Sequence, residues 1–167
     1  MKQLTALLLL LCLSLCLITG CAQKETIGHT SGLAVFDDSG LTGEKIDPTK
    51  TGKMTILNFW GTWCPYCLYE MPHLNDIAEK YKDKLSVVAV HTDIAGTDAI
   101  EYVKTYIPDS SIIFANDHQN AFYSTMGGNG SYPYTVILDG EGKVKTRFYG
   151  YQDYETWENI VNSMLGK

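Results

Sequence analysis

The sequence NFWGTWCPYC, residues 58–67, decides the fold of this 167-residue chain. It continues an apolar run that starts at residue 54, and from Cys67 onward apolar residues recur at helical spacing as far as Tyr81. We predict a buried strand over residues 54–60, a short turn, and a helix that begins near Cys64. Two cysteines at the junction of a strand and a helix point to redox chemistry.

Cys64 and Cys67 are the candidate catalytic residues. At a helix N-terminus, backbone N–H groups and the positive end of the helix dipole favour the thiolate of Cys64, which is the nucleophilic form. Cys67 follows one turn later, so it can close a disulfide with Cys64 or attack a mixed disulfide that Cys64 has formed. Pro65 suits the first helical turn, where its missing N–H costs nothing.

A CxxC pair can also bind zinc or form a purely structural disulfide. A zinc site needs two further ligands, and the histidines of this chain form no paired ligand pattern: His29, His73, His91 and His118. A purely structural disulfide over so short a loop removes little entropy from the unfolded chain. The flanking tryptophans also suit a surface on which another protein docks, so we favour the redox interpretation.

Two segments together resemble a known family. They are NFWGTWCPYC followed by Glu70-Met71-Pro72, and the tetrapeptide Tyr132-Pro133-Tyr134-Thr135. Both are similar to the TlpA/ResA group of membrane-anchored, thioredoxin-fold oxidoreductases, and the resemblance covers about residues 30–166. It implies an α/β, thioredoxin-like fold, in which a central mixed sheet is flanked by helices and carries an N-terminal β-hairpin and a TlpA/ResA-type insertion.

The N-terminus carries the pattern of a lipoprotein signal peptide, which we assign to residues 1–20. Lys2 precedes an apolar run over residues 4–18 that is too short for a comfortable membrane span. The run ends in Ile18-Thr19-Gly20-Cys21, which resembles a bacterial lipobox and implies that Cys21 is lipidated; an ordinary secretory signal is the alternative. Lipidation would leave Cys64 and Cys67 as the only free thiols of a protein held at the extracytoplasmic face of the cell membrane.

Charge and length bound the remaining possibilities. Only Lys2 of the 13 basic residues precedes Cys21, so 12 basic and 19 acidic residues give the processed chain a net charge of −7. That balance argues against nucleic acid as a partner. Residues 21–32 are small and polar and are predicted to be a lipidated N-terminus and tether. Residues 33–167 suit one domain with one core, which we expect to be a monomer.

Changes in hydrophobic period predict the elements of this domain. The N-terminal hairpin spans residues 33–36 and 44–47, and a strand over 85–90 completes a parallel crossover with residues 54–60. Further predicted strands are 112–114, 135–138 and 144–149, and further helices are 97–107, 119–126 and 154–165, the last with Asp153 as N-cap. The resemblance assigns the insertion to the helix at 97–107 and the strand that follows it.

The resemblance also assigns the residues that bind a client. Pro133 follows a glycine-rich loop, residues 127–131, at the place where thioredoxin-fold proteins carry a cis-proline facing the redox pair. It would expose the backbone of Tyr132, which pairs with a substrate strand and holds the substrate sulfur in line with Cys64. The remaining predicted client-binding residues are Trp63, directly before Cys64, and Pro65 and Tyr66, between the two cysteines.

Glu70 is the candidate proton carrier. It lies three residues after Cys67 on the same side of the helix and matches a glutamate that ResA-like proteins keep near their cysteines. If buried, its carboxyl would have a raised pKa and could exchange protons with the thiols; the alternative is a solvated helix charge. Asn58 stands where thioredoxin itself has a buried aspartate, which strengthens the case for Glu70. His73 does not share a face with Cys67, so we expect it at the surface.

The resemblance implies a protein-disulfide reductase that needs no cofactor. Its expected clients are exported proteins such as apocytochrome c, and its expected electron donor is a membrane thiol reductant of the CcdA/DsbD type. The dipeptide Pro65-Tyr66 departs from the family, in which an acidic or small residue more often precedes proline. An oxidase or isomerase of exported thiols therefore remains the alternative within this class.

Two functions outside the class also stay open. A peroxiredoxin-like peroxidase would need the pattern PxxxTxxC, but Leu57 and Gly61 occupy its proline and threonine positions. A non-catalytic lipoprotein binding module would have no need of Cys64, Cys67 and Pro133 together.

Overall fold

The computed structural model describes residues 32–92 and 97–166. It confirms the thioredoxin-like α/β fold: a mixed seven-stranded sheet with the order β2-β1-β5-β4-β3-β6-β7. The strands are β1 (Leu33–Asp37), β2 (Gly40–Ile46), β3 (Met54–Trp60), β4 (Leu85–His91), β5 (Ile113–Asn116), β6 (Tyr134–Leu138) and β7 (Val144–Tyr149). The helices are α1 (Pro65–Tyr81), α2 (Thr97–Tyr106), α3 (Ala121–Thr125) and α4 (Tyr154–Met164). The predicted signal peptide, Cys21 and the tether up to residue 31 lie outside the described residues.

The predicted N-terminal hairpin is present and extends one side of the sheet, but β2 begins at Gly40, four residues earlier than predicted. β1 pairs antiparallel with β2 on one edge and with β5 on the other. β2 is therefore one outer strand of the sheet, and β7, which pairs only with β6, is the opposite outer strand. Both outer strands are largely exposed and carry charged side chains, which are Glu44 and Lys45 on β2 and Lys145 and Arg147 on β7.

β3 is an interior strand of the sheet, between β4 and β6, and carries the sequence that leads into the cysteines. It runs parallel to β4 and antiparallel to β6, in agreement with the predicted crossover. Its residues from Thr55 to Trp60 are all buried, because both faces of the sheet are covered. Ile56 and Trp60 pack in the core that includes α1, whereas Phe59 packs in the core on the other face, against α3.

The four predicted helices are present, but their ends differ from the predicted ones. Asp153 caps α4 by accepting a hydrogen bond from the backbone N–H of Thr156 at 2.9 Å, and α4 packs against α1 through the buried Trp157. The helix predicted over 119–126 covers only 121–125, because Gln119 and Asn120 have positive φ angles of 68° and 56° and form a separate 3₁₀ turn. None of the helices in the described part of the chain is long and apolar enough to cross a membrane.

Candidate active site

The two cysteines lie at the start of α1 and form a disulfide. Cys64 is the N-cap residue of the helix, and its Sγ accepts a hydrogen bond from the backbone N–H of Cys67 at 3.3 Å. The Cα atoms of the pair are 5.3 Å apart. Cys64 is 5% exposed and Cys67 is fully buried, so Cys64 is the sulfur that a second protein can approach.

Gly61 shapes the turn that leads to this pair. Its carbonyl accepts a hydrogen bond from the backbone N–H of Cys64 at 3.0 Å. The indole of Trp63 folds back over Gly61, so that a Cβ atom at this position would lie 2.5 Å from the indole nitrogen. The Trp63 ring therefore packs against the backbone of the turn, and a larger residue at position 61 would require this exposed ring to move.

The loop before β6 lies next to the redox segment. The Tyr132–Pro133 peptide bond is cis, as the sequence predicts, and the carbonyl of Pro133 accepts a hydrogen bond from the Gly150 N–H at 2.9 Å. The ring of Tyr132 meets the ring of Trp63 edge-on, with 5.0 Å between the ring centroids. This contact joins the proline loop to the segment that carries the cysteines.

Glu70 is buried on the face of α1 that carries Cys67, so of the two alternatives the structure has the buried carboxyl and not the solvated helix charge. Its Oε1 accepts a hydrogen bond from the backbone N–H of Gln152 at 2.9 Å, and its Oε2 accepts one from the Asn58 amide at 3.0 Å. Burial raises the pKa of Glu70 to about 7, although both bonds and the nearby Trp157 indole oppose the shift. The Trp157 nitrogen itself does not reach hydrogen-bonding geometry. The carboxyl is therefore poised to gain or lose a proton near neutral pH.

Asn58 links Glu70 to β6. Its Nδ2 donates to Glu70 and also to Thr135 Oγ1 at 3.1 Å, two residues after Pro133. Its Oδ1 is buried and has no hydrogen-bond partner among the described residues. The amide thus offers one unused acceptor to any donor that comes to lie behind the cysteines.

Comparisons with known proteins agree with this geometry. The family model for Redoxin matches residues 30–165. The chain belongs to the Redoxin family. It is 33% identical over 144 residues to the thiol-disulfide oxidoreductase ResA of Bacillus cereus, covering 85% of this chain and 80% of the relative. It is 36% identical over 129 residues to the thioredoxin-like protein YneN of Bacillus subtilis, covering 74% of each.

A solved structure supports the same assignment at the level of the fold. A Chlorobium tepidum protein assigned as a thiol:disulfide interchange protein DsbE superposes with a TM-score of 0.66 and 24% identity, covering 81% of this chain and 92% of its own. The likeness supports the fold, and the ResA relatives place the chain among TlpA/ResA-like proteins. It is a thiol-disulfide oxidoreductase of the ResA/DsbE type with a Cys64–Cys67 pair.

Exposed aromatic residues surround the disulfide of this TlpA/ResA-like oxidoreductase. Trp63, Tyr66 and Tyr69 are each more than half exposed, and Pro65 is exposed between them. The sequence singled out Trp63, Pro65 and Tyr66, but not Tyr69, which follows Tyr66 by one helical turn. These side chains give the surface around Cys64 an uncharged, aromatic character that suits contact with another polypeptide.

Two histidines of the described residues contact aromatic side chains. His73 is partly exposed, and its Nε2 lies 3.1 Å from the hydroxyl of Tyr151, the residue before Gln152. His91 is buried at the end of β4 and meets the ring of Trp60 edge-on at 5.0 Å. The sequence assigned neither a role, and it missed Gln152 and Thr135. Gln152 acts through its backbone, which leaves no side-chain signal.

Proposed function

We propose that this oxidoreductase works as a reductase of disulfides in exported client proteins. The Cys64 thiolate attacks a client disulfide, forms a mixed disulfide and releases one client thiolate. The Cys67 thiolate then attacks Cys64 Sγ, which forms the Cys64–Cys67 disulfide and releases the second client thiolate. Two electrons pass from the dithiol to the client, and the two released thiolates take up protons. The greater exposure of Cys64 and its position at the helix N-cap support this order of attack.

The observation that carries the reductive direction is the burial of Glu70 behind the cysteines. A carboxylate at this position repels a thiolate, which makes the reduced pair less stable and therefore a better electron donor. With a pKa of about 7, the carboxyl can also accept the proton of the Cys67 thiol as that thiol attacks Cys64.

The proposed client-binding surface joins both sides of the disulfide. The backbone of Tyr132, next to the cis-proline Pro133, would pair with an extended client segment and hold its sulfur in line with Cys64. Trp63, Pro65 and Tyr66 would cover the client on the helix side. The edge contact between Trp63 and Tyr132 supports a continuous surface, because it leaves no gap between the two sides.

We further propose that the protein acts at the extracytoplasmic face of the cell membrane, held there by a lipid on Cys21. The domain would then comprise residues 33–167, after a signal peptide over 1–20 and a tether over 21–32. A membrane thiol reductant of the CcdA/DsbD type would reduce the spent disulfide, and apocytochrome c would be one of the clients. In detergent phase separation we expect Cys21→Ala, but not the wild type, to enter the aqueous phase; a wild-type protein found there would contradict the anchor.

A second candidate is an oxidase or isomerase of exported thiols, and one observation favours it. Cys64 caps α1 and Pro65 follows directly, an arrangement that stabilises the Cys64 thiolate and with it the reduced form. A stable reduced form makes the oxidised protein a stronger oxidant. The direction of electron flow therefore depends on whether the helix terminus or Glu70 has the larger effect on the stability of the Cys64 thiolate.

The reduction potential of the Cys64–Cys67 pair tests the proposal. For a reductase we expect a potential between those of thioredoxin and glutaredoxin, roughly −270 to −200 mV, with catalytic reduction of insulin. A potential near that of DsbA, about −120 mV, with fast oxidation of a reduced client would establish the oxidase instead. Failure to turn over disulfides in either direction would favour the non-catalytic binding module.

A further inference from the structure

We propose that Tyr123 is a positioning residue for client recognition, because it holds the loop at residues 128–132 in the shape that presents Tyr132 beside Cys64. This inference rests on the proposed function, since it assigns the docking of a protein client to Tyr132. It assigns Tyr123 a role in binding and none in the exchange of sulfur bonds.

One tyrosine contacts most of this loop. Its hydroxyl accepts a hydrogen bond from the Gly130 N–H at 2.8 Å and donates one to the Ser131 carbonyl at 3.1 Å. Its own carbonyl accepts from the Gly128 N–H at 2.9 Å. Its ring stacks on the ring of Tyr132 with a centroid distance of 4.8 Å and an angle of 15° between the planes.

Tyr123 is itself firmly held. It is 4% exposed, and its backbone N–H donates to Asp117 Oδ2 at 2.7 Å. Its ring packs edge-on against Phe59 of β3 at 5.3 Å and against Tyr134 of β6 at 5.7 Å. Because both are interior strands of the sheet, the loop takes its position from the rigid core rather than from its own glycine-rich sequence.

Gly128 fits this arrangement closely. A Cβ atom at position 128 would lie 2.3 Å from the Cε1 and Cζ atoms of the Tyr123 ring, so no larger residue fits unless the ring moves. The loop backbone and the ring therefore pack in direct contact. This contact gives a second way to disturb the support without changing Tyr123.

The position of the Tyr123 ring also determines the position of side chains on the surface that meets the client. The Tyr132 ring lies between Tyr123, on which it stacks, and the exposed Trp63, which it meets edge-on at 5.0 Å. None of the observed contacts of Tyr123 involves Cys64, Cys67, Glu70 or Asn58. A change in Tyr123 should thus weaken protein binding and leave the chemistry of the sulfurs alone.

The decisive variant is Tyr123→Phe in the otherwise unchanged protein. It keeps the stacked ring and removes the hydroxyl that bonds Gly130 and Ser131. Loss of these bonds should raise KM for insulin about fivefold, the scale of one or two net hydrogen bonds. We expect kcat for insulin, the rate with oxidised glutathione and the reduction potential to stay at wild-type values, because a small disulfide needs no loop contacts.

Two further variants sharpen the test. Gly128→Ala should raise KM for insulin in the same selective way, since its Cβ displaces the Tyr123 ring. Tyr81→Phe is the matched control: it removes the hydroxyl of another buried tyrosine, bonded to Asn162 at 3.0 Å at the far end of α1, and should leave KM unchanged.

Three results would overturn the inference while the proposed function stands: an unchanged KM for insulin in Tyr123→Phe, an equal loss with insulin and glutathione, or a shifted potential. If the wild type reduces no protein disulfide, the proposed function fails, and the assignment of Tyr123 to client docking fails with it.

Discussion

The two segments on either side of the disulfide are held in place by different kinds of contact. The turn before α1 is fixed locally, by the bonds from Cys64 to Gly61 and from Cys67 to Cys64. The loop between α3 and Pro133, here called the proline loop, is instead held by side chains from strands β6 and β7. The hydroxyl of Tyr134 and Nε of Arg147 donate to the Met126 carbonyl at 2.6 and 3.3 Å, and the Tyr149 hydroxyl donates to the Gly127 carbonyl at 3.1 Å.

This difference separates sulfur chemistry from client recognition. Substitutions in α1 act on the charge and access of the sulfurs, so they should change the potential and the pH dependence. Substitutions around the proline loop act on the shape of the docking surface, so they should change KM for proteins.

Removal of either cysteine should abolish turnover, but with different products. Cys67→Ala keeps the exposed nucleophile and loses the resolving thiol, so mixed disulfides with clients should accumulate through Cys64. Cys64→Ala should trap far fewer, because Cys67 is buried. Non-reducing gels of the two variants after incubation with a client measure this. Equal trapping would show that the order of attack is wrong.

Glu70→Gln should stabilise the fold at neutral and higher pH. The folded pKa of about 7 lies above the unmodified value of 4.5, so the carboxyl keeps its proton in the fold and loses it in the unfolded chain. Stability is therefore lost as the pH rises from about 4.5 to 7. Gln never ionises, and the unused Asn58 Oδ1 can accept a bond from its amide. We expect a gain of about 3 kcal/mol in the free energy of unfolding at pH 8.

Denaturant unfolding of oxidised protein at pH 4 and pH 8 checks this expectation. The gain should be absent at pH 4, where Glu70 is protonated in both the folded and the unfolded protein. Glu79→Gln is the control on the same helix, since Glu79 is exposed and pairs with Lys82. A gain that is the same at both pH values would contradict burial as its cause.

The same substitution should make the redox pair more oxidising. Without the Glu70 carboxylate the Cys64 thiolate is no longer repelled, so the reduced form becomes more stable. We expect the potential to rise by about 30 mV, equivalent to about 1.4 kcal/mol. The midpoint of Cys64 alkylation by iodoacetamide should move to lower pH. A potential that stays constant would remove Glu70 from the determinants of direction.

Trp63→Ala tests the surface that joins the two segments. The substitution removes an exposed ring and its edge contact with Tyr132, and such a contact is worth about 1 kcal/mol. KM for insulin should rise several-fold, while the rate with oxidised glutathione stays near that of the wild type. Tyr106→Ala is the control, because Tyr106 is also an aromatic residue that is more than half exposed, and it lies on α2. The same rise in both variants would point to a general loss of surface aromatic contacts.

The sequence predicted the locally fixed segment better than the proline loop. The strand, the turn and the start of α1 follow from short-range signals: an apolar run, a glycine, and Pro65 after a capping residue. The spacing of Glu70 to Cys67 indicated the same side of the helix but left open whether the carboxyl is buried or solvated. Its bond to Gln152 could not be foreseen, because a backbone N–H 82 positions away carries no mark in the sequence.

The role of Tyr123 likewise could not be predicted from the sequence. In the sequence it is one aromatic residue in a short helix, with nothing to distinguish it from its neighbours. Its importance appears only when the fold brings Gly128, Gly130 and Tyr132 back against it. Gln119 and Asn120 likewise adopt left-handed φ angles that shorten α3, which helical spacing alone could not indicate.

The outer strands of the sheet carry side chains that protect the protein against aggregation with extended polypeptides. An open strand edge invites pairing with any extended chain, and pairing of that kind leads to aggregation. Here Glu44 and Lys45 on β2, and Lys145 and Arg147 on β7, place charges along both edges. An incoming apolar strand would have to desolvate these charges, so the edges resist it. The charges on both outer strands therefore oppose the addition of a further strand at either edge of the sheet.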